Sequence, residues 1–330
     1  MRRVKPSAQF SRGAPYSVDA TAGYGYNKGG FTIETEAFPM TALMVALLVF
    51  LFSLQALFLK LFSAHYDNPD SALASTVFSI GYGVFVSLAT LIIALFRFAP
   101  SPMTLRLGAL NALMLLTYTT AMIQAGRCGS YAFQMISVLF GGILVPMIYG
   151  ALFLGESLTA LQIAAVALML VSFVLMNLKG LSLKGNSKKF LLWCLALFLS
   201  NGFYGVLMNL QATVNSGERN EMIVITFFGM AVLYALIQLA RGPKALVSGF
   251  RMSKKPLAFL LLCCVAATVA VHMMLYVLTL IDETVLYTIE NGGGLILSIV
   301  YSRLLFHERL DKVQMAGVAL ALASIVMLSV

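Results

Sequence analysis

The sequence predicts an all-α integral membrane protein whose ten transmembrane helices form two inverted five-helix repeats. Three observations carry that prediction. The 330 residues are 60% hydrophobic and only 11% charged, with a mean hydropathy of +0.91, whereas a soluble chain carries about 25% charged residues. Ten apolar stretches recur along the chain, each near the roughly 20 residues that cross a bilayer. Finally, Gly141 to Met176 overlays Gly293 to Leu328 at a shift of 152 without a gap, and 14 of the 36 pairs are identical. Chance would match Leu, Val and Ala between two apolar helices. It would not also place Gly141/Gly293, Gly142/Gly294, Tyr149/Tyr301, Glu156/Glu308 and Gln162/Gln314 in register.

Residues 1–39 stand apart from this pattern. They are rich in Gly, Ser, Tyr and Arg and lack both helical periodicity and the apolar h-region of a signal peptide. They read as a disordered tail. Because Met40 stands directly before the first apolar run, an upstream start-site artefact is the alternative. The first repeat, residues 40–178, holds spans at 41–63, 72–96, 104–125, 129–153 and 159–178. A loop over 179–188 joins it to the second repeat, residues 189–330, with spans at 189–213, 221–240, 256–281, 284–306 and 311–329. Polar or helix-breaking residues divide them, among them His65 to Asp70, Pro100-Ser101-Pro102, Ser216 to Asn220 and Arg241 to Lys255. Backbone groups in lipid must pair within their own segment, so each span is a helix. An odd number of crossings per half inserts the second repeat upside down. In that architecture secondary transporters place a site near the midplane.

Each copy of the duplicated stretch reads as a helix, a tight polar turn and a second helix. The turns are Leu154-Gly155-Glu156-Ser157-Leu158 and Phe306-His307-Glu308-Arg309-Leu310. They are followed by Thr159-x-x-Gln162 and Asp311-x-x-Gln314, the spacing of a capping box. The repeated Glu and Gln therefore have a plain reading as loop and cap residues beside any role toward a substrate.

The formal charge of +9 does not point to nucleic acid, because the positive residues lie in loops and the tail, where they orient helices and meet anionic headgroups. With the N-terminus inside, 8 Lys and Arg face the cytoplasm and 13 the other side. That opposes the positive-inside count and leaves orientation open. Cys128, Cys194, Cys263 and Cys264 lie in or beside apolar segments and read as packing residues. His65, His272 and His307 are too scattered for a metal site, and no cofactor is expected. Walker A, HExxH, GxSxG and strand-linked GxGxxG motifs are missing, so neither an enzyme nor an ATP-driven pump is expected.

On the two turn motifs and the helices that follow them, residues 41–329 resemble the drug/metabolite transporter superfamily, and within it the EamA-type ten-helix transporters. The resemblance implies a basket of eight helices around a central cavity, with the fifth and tenth helices peripheral and export as the usual direction. The proline such helices often carry appears as Pro146 but is Ser298 in the second copy, and the His307 turn lacks the usual glycine.

Polar residues inside spans face a cavity or a partner. Glu290 is the sharpest case, since its counterpart in the first copy is Val138. A carboxylate there binds a cationic group of the cargo or exchanges a proton; the plainer reading is a hydrated residue paired to a Lys or Arg. Lys60 is the natural counter-charge, or a snorkelling lysine near a helix end. Gln134, one turn before Val138, and Tyr131 are expected to line the same cavity. So are Tyr118, Asn201, Tyr204, His272, Tyr287 and Asn291, each of which also reads as an interhelical hydrogen-bonder. Gln55, Asn111, Gln124, Asn209 and Tyr276 form a wider set. The glycine pairs let helices approach closely or bend.

The function expected is a secondary active transporter that exports a small polar or amphipathic metabolite by alternating access, driven by a proton gradient or the cargo's own gradient. A broad drug exporter is the alternative. It predicts an aromatic cavity with Glu290 as the only charge, and Lys60 facing the cavity would argue against it. A non-transporting assembly subunit or an intramembrane enzyme is the alternative of another class. The expected partners are a small-molecule substrate and the lipid bilayer, without nucleic acid, as a monomer or homodimer. The expected location is a bacterial inner membrane.

Overall fold

The computed structural model describes residues 38–153, 159–177, 187–277, 280, 283–307 and 311–328. Residues 1–37 of the tail, most of the 179–188 loop, and Glu156 and Glu308 of the repeated turns lie outside the described residues. From Pro39 onward the chain forms one compact unit.

Eleven α-helices occur among the described residues, and no strand. They are α1 (Phe38–His65), α2 (Ser71–Ile93), α3 (Pro102–Cys128), α4 (Tyr131–Phe153), α5 (Ala160–Asn177) and α6 (Ser187–Val214). Then come α7 (Arg219–Arg241), α8 (Pro243–Gly249), α9 (Lys254–Val277), α10 (Glu283–Leu304) and α11 (Lys312–Leu328). Every stretch expected as a span is helical over nearly the expected residues. Seven of these helices, α1, α2, α3, α4, α6, α7 and α9, are long and apolar enough to cross a membrane. Of the ten expected spans, α5, α10 and α11 are not among these seven. The apolar stretches of α5 and α11 are shorter. α10 carries Glu283, Glu290, Asn291 and three consecutive glycines, which lower its apolar character. The seven spans make the chain a multi-pass membrane protein.

Local chemistry sets the helix starts. The capping boxes are formed: Thr159 N–H donates to Gln162 Oε1 at 2.9 Å and Gln162 N–H to Thr159 Oγ1 at 3.2 Å. In the second, the Asp311 and Gln314 amides make the same exchange at 3.0 and 2.8 Å. Ser101 caps α3 ahead of Pro102, and its own N–H donates to Glu218 Oε2 at 2.8 Å. Ser253, 152 positions later, precedes α9 and donates its N–H to Asp67 Oδ2 at 2.7 Å and its hydroxyl to Asp67 Oδ1 at 3.0 Å. Each carboxylate comes from a connection in the other half of the chain.

Packing follows the small residues. α4 meets α6 where a Cβ added to Gly141 would lie 2.0 Å from the Phe198 carbonyl oxygen, and one added to Gly202 would lie 2.3 Å from Val145 Cβ. α2 and α3 pack on α7, α3 also on α6, and α5 pairs with α11, where Ser172 Oγ donates to the Gly317 carbonyl at 2.6 Å. α8 was not expected; it docks by its last residue, whose carbonyl accepts from the Tyr66 hydroxyl at 2.9 Å.

Candidate functional site

Between these helices lies a cavity of ≈ 260 Å³. Its walls come from α1, α2, α3, α4, α6, α7, α9 and α10; among the described residues α5 and α11 contribute nothing. Eight helices thus enclose it while the α5–α11 pair lies outside.

α10 supplies Tyr287, Glu290, Asn291 and Gly294. Among the described residues no hydrogen bond or ion pair reaches the Glu290 carboxylate. The two asparagines are held by the backbone. Asn291 Nδ2 donates to the Tyr287 carbonyl at 2.7 Å and Asn201 Nδ2 to the Val138 carbonyl at 2.9 Å. Gly142 brings them together, since a Cβ there would lie 2.9 Å from Asn201 Nδ2 and 3.8 Å from Asn291 Oδ1. With their nitrogens engaged, both amides keep an oxygen as acceptor. Tyr118 and Tyr204 add rings to the lining, and Val138, the counterpart of Glu290, lines it from α4.

Six of the ten expected site residues therefore surround one cavity: Glu290, Asn291, Tyr287, Tyr118, Asn201 and Tyr204. Four lie elsewhere. Lys60 is buried, 8% exposed, with Nζ 4.1 Å from the Phe306 ring centroid and 4.8 Å from that of Tyr131. Those rings stack on its charge, and Tyr131 faces Phe306 at 5.3 Å. Gln134 turns toward α3, where Nε2 donates to the Met122 carbonyl at 2.6 Å, in space left by Gly126. His272 bonds through Nδ1 to the Thr268 carbonyl of its own helix at 2.8 Å.

The structure also adds residues. Tyr82 lines the cavity and accepts from Gln55 Nε2 at 2.8 Å. In sequence it sits between Gly81 and Gly83, a pattern that reads as helix packing. Arg219 and Gln211 line the far end. Arg219 reads as a loop charge, and nothing in its spacing marks it otherwise.

Residues 188–330 match the model of the EamA-like transporter family. No curated protein matches the chain by sequence. A solved crystal structure, described only as that of a protein, is similar with a TM-score of 0.57 at 17% identity, covering 87% of this chain and 96% of that one. That likeness concerns the fold alone. Helices long and apolar enough to span a membrane, a cavity between them and the match over residues 188–330 agree: the second half of the chain is similar to the EamA-like transporter family, which suggests a membrane transporter of the drug/metabolite kind.

Proposed function

We propose that the chain is a secondary active transporter of ten membrane helices, built as two inverted five-helix repeats that expose the Glu290 cavity to either face in turn. The carrying observation is the Glu290 carboxylate, which lines a largely apolar cavity with no partner among the described residues. A charge in such a place is costly unless a cation or a proton joins it. The cargo is accordingly an amphipathic metabolite with a cationic group, exchanged against protons or moving down its own gradient, and export from a bacterial inner membrane is the direction. Support for the repeat reading comes from the duplicated turns and from Ser101 and Ser253, 152 positions apart and each capped by a carboxylate from the other half.

A second reading, a broad exporter of cationic drugs, gains from one placement. Lys60 sits on Tyr131 and Phe306 and is not among the residues of the cavity wall. Arg219 weighs against it, because Glu290 is then not the only charge on that wall.

The test compares metabolites in cells and medium for the intact chain, Glu290→Gln and an empty vector, at equal membrane abundance. We expect the intact chain to deplete one class of amine from cells and the substitution to abolish this. If both versions act alike, Glu290 is a structural carboxylate and this reading fails.

A further inference from the structure

The cavity has a second polar end that the transport reading does not use. Along α6, Asn201 stands beside Asn291, the neighbour of Glu290, whereas Gln211 lies ten residues further on. At 1.5 Å per residue that is about 15 Å along the cavity wall. Gln211 is 1% exposed. Its Nε2 is spent on Thr104 Oγ1 at 2.9 Å and the Asn215 carbonyl at 3.0 Å, while its Oε1 is buried without a partner. Arg219, the first residue of α7, lines the same end, and its Nε is likewise buried with no partner. The neighbouring carboxylate, Glu218, accepts from the Ser101 amide at 2.8 Å. A buried N–H and a buried carbonyl left open cost stability unless something meets them. An Arg Nε–H asks for an acceptor, and a Gln Oε1 for a donor.

Resting on the transport reading of the same cavity, the geometry points to a two-headed cargo. Its ammonium sits on Glu290 with the oxygens of Asn201 and Asn291. Its second head, a carboxyl or amide, sits on Arg219 and Gln211. Between the heads the wall offers Gly205, Met208 and Met222 with one polar side chain, Asn209, which suits a slender, mostly apolar linker. The ligand class is an extended ω-amino acid or its amide. The volume of ≈ 260 Å³ is at the small end for ligand pockets and suits a slender molecule. Three donors on an ammonium match three acceptors at one end, and the opposite charges at the two ends set the direction in which the molecule lies.

The experiment is isothermal titration of the purified full chain in lipid nanodiscs with four probes: octylamine, octanoate, ω-aminobutanoate and ω-aminooctanoate. We expect ω-aminooctanoate to bind at least about tenfold more tightly than octylamine, since a charge-assisted contact is worth that much. ω-Aminobutanoate, too short to reach, should show no such gain. Arg219→Gln should bring ω-aminooctanoate down to the level of octylamine in a variant that melts in detergent like the intact chain, which shows it is folded. Glu290→Gln should remove octylamine binding. If ω-aminooctanoate binds no better than octylamine, or its advantage survives Arg219→Gln, the two-headed cargo is overturned while the amine site at Glu290 stands. If no probe binds, the site at Glu290 falls and this inference with it.

Discussion

At the scale of single residues, Glu218 shows how one carboxylate fixes a helix start. Hydrogen bonds from Thr104 and from the Ser101 amide hold its carboxyl at about 2, down from an ordinary 4.5. Its folded value lies below the unfolded one. The stability it lends is therefore fully present above about pH 4.5 and is lost as the pH falls through about 2. We expect Glu218→Gln to melt below the intact chain at neutral pH, and the gap to close across that window. A gap that does not change with pH contradicts the assignment. Single residues differ in how legible they are. The capping boxes are readable because Thr159 with Gln162 and Asp311 with Gln314 interact only within one turn. His307 is readable too: it occupies the place of the expected glycine and takes φ 52°, the left-handed region. Glu290 stands out because an acid inside an apolar run has few uses. Lys60 and Gln134 mislead for one reason: their partners, the Phe306 ring and the Met122 carbonyl, lie on other helices or distant turns. Spacing along a helix does not reveal them.

At the scale of elements, the seam between α4 and α6 depends on two glycines. A Cβ on Gly202 would meet Val145 Cβ at 2.3 Å and the Gly141 carbonyl oxygen at 2.5 Å, neither of which is the free end of a flexible side chain. Gly202→Leu should therefore cost about 1–3 kcal/mol or more, read as a lower melting temperature in detergent. Gly217→Ala, with nothing within 4 Å of its added Cβ, should melt like the intact chain. Equal melting for both variants contradicts the seam. Helix positions were legible because hydropathy and breakers act locally, as at Pro102 and Asp70. The choice of α6 as partner of α4 was not, since the duplicated α10 carries the same Gly-Gly yet meets the Val49 side chain of α1 at Gly293. α8 escaped because seven residues are too few for an apolar period to register.

At the scale of the whole molecule, the two halves of the chain share one cavity, and hydrogen bonds from the Ser101 and Ser253 amides tie each half to a connection of the other. Duplication was visible in the sequence, and the resemblance implied eight helices around a cavity; which side chains of those helices meet there, Tyr82 and Arg219 among them, came from packing. The account centres on that cavity meeting each side of the membrane in turn. Gly205 allows a direct test, because it lines the cavity and an added Cβ would meet only Pro146 Cγ, at 3.7 Å. In a chain with Cys128, Cys194, Cys263 and Cys264 replaced by alanine, Gly205→Cys would be exposed to a membrane-impermeant maleimide in right-side-out and in inverted vesicles. The account predicts labelling from both sides in vesicles that stay tight to a small dye. Labelling from one side only, with amine present or absent, would contradict it.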